Sequence, residues 1–148
     1  MTSAKDSPVR PRRGFRRAVP RTAGEARQWV TELVRRCHPV PSDAGRESDA
    51  LADPLLVTSE LVTNAIRHGG GVTGFWIALD AGVLRLGVRD HSDAVPRVRP
   101  RESAAAVPVG GYGWPLVCRL ASEVDILPCP GGGKEIRVAL PLPWQPLT

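Results

Sequence analysis

Cysteine is scarce in this chain, and its three copies are scattered. Cys37, Cys118 and Cys129 form no C-x2-C pair. That spacing argues against a structural zinc site and a disulfide framework, and it agrees with a reducing cytoplasm. Aromatic residues make up only 5% of the sequence. Among the basic N-terminal residues Phe15 stands alone, short of the series of aromatics that a base-stacking platform for nucleic acid requires. No apolar run approaches the roughly 18 residues of a membrane span. The N-terminus is charged with no apolar segment behind it, so it does not read as a secretory signal. No G-x4-G-K-[ST] occurs, which excludes the P-loop route to phosphate binding. Lysine is nearly absent, 2 residues against 18 arginines, as in proteins of GC-rich genomes.

What remains is the composition of one ordinary globular domain. The chain has 148 residues, 42% hydrophobic and 24% charged, long enough to bury a core. The net charge of +5 is uneven. Residues 1–21 carry Lys5, Arg10, Arg12, Arg13, Arg16, Arg17 and Arg21 against Asp6, a net +6, so the rest of the chain is at −1. The basic character belongs to an arm. With Pro8, Pro11 and few apolar residues, the arm reads as disordered over residues 1–14. It reads as solvated rather than as a direct nucleic-acid contact. A domain over residues 15–142 and a short tail, 143–148, complete the organisation.

Within the domain, Phe15 to Val19 reads as a short strand ended by Pro20. Thr22 and Glu25 make a capping-box pattern. A helix from Ala23 to Cys37 follows, with Ala26, Trp29, Val30, Leu33 and Val34 at helical spacing. Pro39 to Gly45 is a loop. A second helix spans about Glu47 to His68, with Asp53-Pro54 predicting a kink or a fresh start. Gly69-Gly70-Gly71 ends it. Val72 to Asp80 and Val83 to Asp90 alternate apolar and polar residues around Ala81-Gly82, a hairpin length. Residues 91–109 have no period and read as a functional loop carrying Arg97, Arg99 and Arg101. Then come a short helix, Trp114 to Ala121, and two strands, Glu123 to Leu127 and Lys134 to Leu140. The order β-α-α-β-β-loop-α-β-β predicts an α+β two-layer sandwich, with helices on one face of a mixed, mostly antiparallel sheet.

The richest stretch is Ser59-Glu60-Leu61-Val62-Thr63-Asn64-Ala65-Ile66-Arg67-His68. Glu60, Asn64 and His68 recur every four residues, about 400° of helix, so they form one polar stripe. A carboxylate there can take a proton, and a carboxamide oxygen can hold a hydrated cation. His68 reads as a packed or capping histidine. Downstream, Asp90 closes a buried strand, where it can accept from an exocyclic amine. Gly111 and Gly113 open a helix whose bare N–H groups can meet phosphate.

Glu-x3-Asn on a helix, a strand ending in Asp, a loop, then Gly-x-Gly before a helix resembles the GHKL, or Bergerat, ATP-binding superfamily. The phrases "SELVTNAIRH" and "GGGKEIRVALPL" look most like the anti-sigma-factor serine kinases of Gram-positive bacteria. The resemblance covers about residues 15–142. It implies that Asn64 ligates Mg²⁺ and that Glu60 is the base. It also implies that Asp90 reads adenine and that Gly111 and Gly113 belong to the phosphate lid. ATP and Mg²⁺ are the implied cofactors. The implied partners are a sigma factor, an anti-sigma-factor antagonist or both, and a second copy in a homodimer, away from membranes. The alternative is a non-catalytic ATP-binding interaction module; a detached histidine-kinase-like subunit ranks third. The chain departs from the superfamily's D-x-G-x-G box with Asp90-His91-Ser92-Asp93-Ala94. It also reads Gly113-Trp114-Pro115-Leu116 where Gly-Leu-x-Leu is usual, which sets a bulky Trp114 beside the expected phosphate site.

Overall fold

A computed structural model describes residues 14–37, 44–96 and 113–143 of the chain. The basic arm, the loop arginines 97, 99 and 101, and Gly111 lie outside the described residues.

Three helices cover one face of a five-stranded sheet. The order along the chain is β1 (Gly14–Arg17), α1 (Ala23–Cys37), α2 (Ala44–His68), β2 (Val72–Asp80), β3 (Val83–Asp90), α3 (Gly113–Leu120), β4 (Glu123–Pro128) and β5 (Lys134–Pro141). In space the strands run β1-β2-β3-β5-β4. All four pairings are antiparallel, so the expected α+β sandwich forms without a parallel component among the described strands.

Local chemistry explains the boundaries. Thr22 Oγ1 accepts the Glu25 N–H at 3.0 Å and caps α1. Glu25 reaches back, but to the N–H of Arg21 at 3.2 Å, one residue before the usual capping-box partner. α2 continues through Pro54 as one helix of 25 residues, so the fresh start does not occur. Proline removes a donor there, and the Thr58 hydroxyl donates to the Pro54 carbonyl at 2.7 Å. α2 stops because Gly70 and Gly71 take φ of 77° and 111°, which side chains resist. Ala81 and Gly82, both at positive φ, make the tight turn between β2 and β3.

The core lies between the helices and the inward sheet face. α1 contributes Ala26, Val30, Leu33 and Val34; α2 contributes Leu51, Val57, Leu61, Val62 and Ala65. The strands supply Phe75, Ile77, Leu79, Leu84, Leu86, Val88, Ile136, Val138 and Leu140 at alternating positions. Continue that inward row to the end of β3 and β5, and it reaches Asp90 and Lys134, which pair across the ladder. The strand alternation therefore delivers two charged groups to the rim of the apolar layer.

Candidate functional site

α2 carries the site along its length. Glu60, Asn64 and His68 follow one another up the same face, ending at Gly69. From Glu60 to Gly69 is about 13 Å at 1.5 Å per residue, enough for a base at one end and phosphates at the other. Glu60 and Asn64 are half-buried. Neither makes a hydrogen bond or ion pair with another described residue. Their polar atoms are held beside the core and left for something else to bind. His68 is exposed and ends the stripe in solvent.

At the Glu60 end, the N-terminus of α3 comes down on the carboxylate. A Cβ on Gly113 would stand 2.0 Å from Glu60 Oε2 and 2.8 Å from its Cδ. Only glycine allows this approach, and it brings the N–H groups of a helix start next to the Glu60 carboxylate. The expected helix begins one residue earlier than the sequence indicates, at Gly113 itself. Trp114 is half-buried and packs against the hydrophobic core.

At the other end, Gly69 packs against Asp90. A Cβ on Gly69 would lie 2.4 Å from Asp90 Oδ2. The Gly69 carbonyl also accepts the His91 N–H at 2.8 Å, which ties the end of α2 to the end of β3. Asp90 is 7% exposed. Its carboxylate does not stand free, because Lys134 Nζ lies 3.0 Å from Oδ1 and 2.9 Å from Oδ2.

The missing glycines of the first box have a physical replacement. Where flexible glycines are usual, Ser92 donates its N–H to Asp90 Oδ1 at 2.9 Å and offers its carbonyl to Lys134 at 3.2 Å. Asp93 Oδ1 accepts the Gly133 N–H at 2.8 Å. These short-range turns fasten the segment after β3 to β5.

Sequence reasoning thus names Glu60, Asn64, Asp90 and Gly113, and the fold brings them to one face of α2 and its two ends. It overlooks Lys134. The only available signal is a lysine opening an inward-facing strand position beside glycines. It also overlooks a second cluster on the opposite sheet face. There Glu135, 2% exposed, accepts from Trp76 Nε1 and Arg89 Nε at 3.1 Å each, and from Arg137. Burial alone would push the Glu135 carboxyl up. The Arg137 hydrogen bond and charge, with the Trp76 and Arg89 bonds, outweigh it and hold the group below the usual carboxylate range.

The donor set suits a magnesium nucleotide. Mg²⁺ favours oxygen ligands and keeps waters and phosphates around it, so one carboxamide oxygen from the protein is a sufficient anchor. Asn64, which bonds to no other described residue, would supply it, and the N–H groups at Gly113 would meet phosphate. No helix among the described residues is long and apolar enough to cross a membrane. None of the three cysteines forms a disulfide.

Comparison with curated proteins returns no match. A family profile described as the histidine kinase-like ATPase domain matches residues 17–140, from the end of β1 to β5 and across every element of the site. With the antiparallel sheet, the α2 stripe and the Gly113 approach already in place, that match shows that the chain belongs to the histidine kinase-like ATPase domain family.

Proposed function

We propose that this chain binds magnesium ATP and phosphorylates a serine of a regulatory partner, as anti-sigma-factor kinases do to their antagonists. One observation carries the reading. Glu60 and Asn64 sit on one face of α2 without described partners, and the α3 N-terminus is pressed against Glu60 at a glycine. A structural ion-pair network would use these groups; a site leaves them open.

In this reading Asn64 holds the cation, which when bound neutralises charge developing on the phosphates. Glu60 accepts the proton of the attacking hydroxyl. The N–H groups at the start of α3 face the phosphate end, and Asp90 faces the base end. A second copy of the chain would cover the edge strand β1, where Phe15 and Val19 are exposed.

A second reading is supported by the tie between Asp93 and Gly133. A fastened segment after β3 favours a module that uses nucleotide to set a conformation rather than to turn it over. One experiment separates the two. The partner is recovered from the native host by co-purification with and without ATP and magnesium, identified by mass spectrometry, and incubated with the chain and γ-labelled ATP. Label on a partner serine supports the kinase. Tight binding of ATP and partner with no transfer selects the module. No ATP binding at millimolar concentration rejects both.

A further inference from the structure

Lys134 touches the proposed base-reading residue from behind. Its side chain is 9% exposed and that of Asp90 8%. An ammonium has three N–H donors. All three have acceptors here: Asp90 Oδ1 at 3.0 Å, Asp90 Oδ2 at 2.9 Å and the Ser92 carbonyl at 3.2 Å. No donor remains to reach a ligand.

The carboxylate side can be counted the same way. Two oxygens offer about four lone-pair sites. Lys134 and the Ser92 N–H occupy Oδ1, and Lys134 occupies one site on Oδ2. What remains is one acceptor lobe on Oδ2, the oxygen packed closest to Gly69. The other charged groups nearby are directed elsewhere. Asp93 is bonded to the Gly133 N–H, and the rings of His91 and His68 are exposed.

We infer that Lys134 is a positioning residue that makes the base end of the site selective for a 6-aminopurine over a 6-oxopurine. The inference rests on the nucleotide reading of the site. Lys134 and the Ser92 N–H fix the Asp90 carboxylate so that it leaves one acceptor and no donor for the base. An exocyclic amine donates to that acceptor. A ring carbonyl at the same position meets a lone pair and gains nothing. Without Lys134, a buried carboxylate lacking its counter-charge favours its neutral form. A neutral carboxyl group carries an O–H donor as well as an acceptor. It would serve either base. A residue that never contacts the nucleotide would thus decide which nucleotide binds. A buried ion pair is a weak source of stability compared with apolar packing, which leaves specificity as the reason to build one at this rim.

The probes are ATP and inosine triphosphate, which differ at the purine 6-position. Both are titrated calorimetrically, with magnesium, into the full chain and its variants. Wild type should prefer ATP by about tenfold or more, the effect of one unpaired buried polar group. Lys134→Arg, which keeps a cation with several donors, should keep the preference. Lys134→Met should reduce it to about threefold or less, chiefly by gaining affinity for inosine triphosphate. Lys134→Met that binds with the wild-type preference overturns the inference. Should that variant fail to fold, the wild type decides. Lys5 and Lys134 are the only lysines, so ¹⁵N-lysine labelling gives two ammonium signals at most. The buried, exchange-protected one should persist when a non-hydrolysable ATP analogue saturates the site. Its loss to exchange would show that Lys134 releases Asp90, and would overturn the inference. A wild type that binds neither nucleotide brings down the nucleotide reading together with this one. ATP binding with an unchanged preference in Lys134→Met brings down this one alone.

Discussion

Glu60 and Gly113 are packed so closely that a Cβ on the glycine would come within 2.0 Å of the carboxylate. The atom in the way is the end of a flexible side chain with no described partner. Gly113→Ala should therefore fold, at a cost of about 0.5–1.5 kcal/mol for turning Glu60 out of its rotamer. Phosphoryl transfer should fall about 10²-fold, because a misplacement near 1 Å suffices for that. Thermal melting and a transfer assay on one preparation check both halves. Normal transfer would show that the approach is only packing.

Gly69→Ala makes the contrasting case. The new Cβ would meet Asp90 Oδ2, Cβ and Cγ at 2.4–2.5 Å. Lys134 and Ser92 hold that carboxylate, and its Cβ is anchored to β3. Nothing can give way locally, so overpacking should cost about 1–3 kcal/mol and lower Tm by roughly 3–10 °C. A larger loss in Gly113→Ala than in Gly69→Ala would contradict this ordering.

Most of the architecture was legible in the sequence, and the reason is periodicity. α1, β2 and β3 fall at the expected boundaries because Thr22, Gly69-Gly70-Gly71 and Ala81-Gly82 punctuate clean apolar patterns. The site residues on α2 were legible because a four-residue spacing needs no tertiary information. At Asp53-Pro54 only the fresh start is overturned, since burial against the core keeps α2 continuous across a residue that locally favours a break. Lys134 and Glu135 were not legible. Adjacent in sequence, they point to opposite sheet faces, and their partners Asp90 and Arg89 are set by the β3–β5 register, which no local pattern encodes.

Glu135 gives the fold a pH dependence in acid. Its carboxyl is held below the ordinary 4.5, chiefly by Arg137 acting against burial. A carboxyl lowered on folding contributes stability that is complete above its unfolded value. That stability is lost as pH falls through the folded value. Glu135→Gln should thus be less stable than wild type at pH 7, by about 1 kcal/mol. That figure allows for Arg89 and Arg137 being nearly half exposed. The gap should close on acidification below pH 4.5. Urea unfolding at pH 7, 5 and 3.5 measures it, and a gap that stays constant would mean that the carboxylate charge plays no part.

Asn64→Ala should weaken binding of magnesium ATP on the order of tenfold, the scale of one charge-assisted contact. It should leave stability near wild type, since the carboxamide bonds to no described residue. Wild type in excess chelator should then bind ATP no better than the variant does. Calorimetry in which the variant still shows a full magnesium effect would remove Asn64 from the cation site.

Glu60→Gln isolates the chemistry. The amide keeps the size and the contact with Gly113, and it retains hydrogen-bonding capacity at the phosphate end. What it loses is the ability to take a proton. If Glu60 accepts the serine hydroxyl proton, ATP affinity should stay within about threefold of wild type while transfer falls 10²-fold or more, the range of a positioned general base. Loss of the negative charge would act in the opposite direction on binding, by easing repulsion of the phosphates, so weaker ATP binding would itself be unexpected. The assay needs the cognate partner and labelled ATP under single-turnover conditions, so that product release does not mask the chemical step. Transfer at the wild-type rate in Glu60→Gln would exclude Glu60 as the base and leave positioning by the α3 N-terminus and the cation as the source of any rate enhancement.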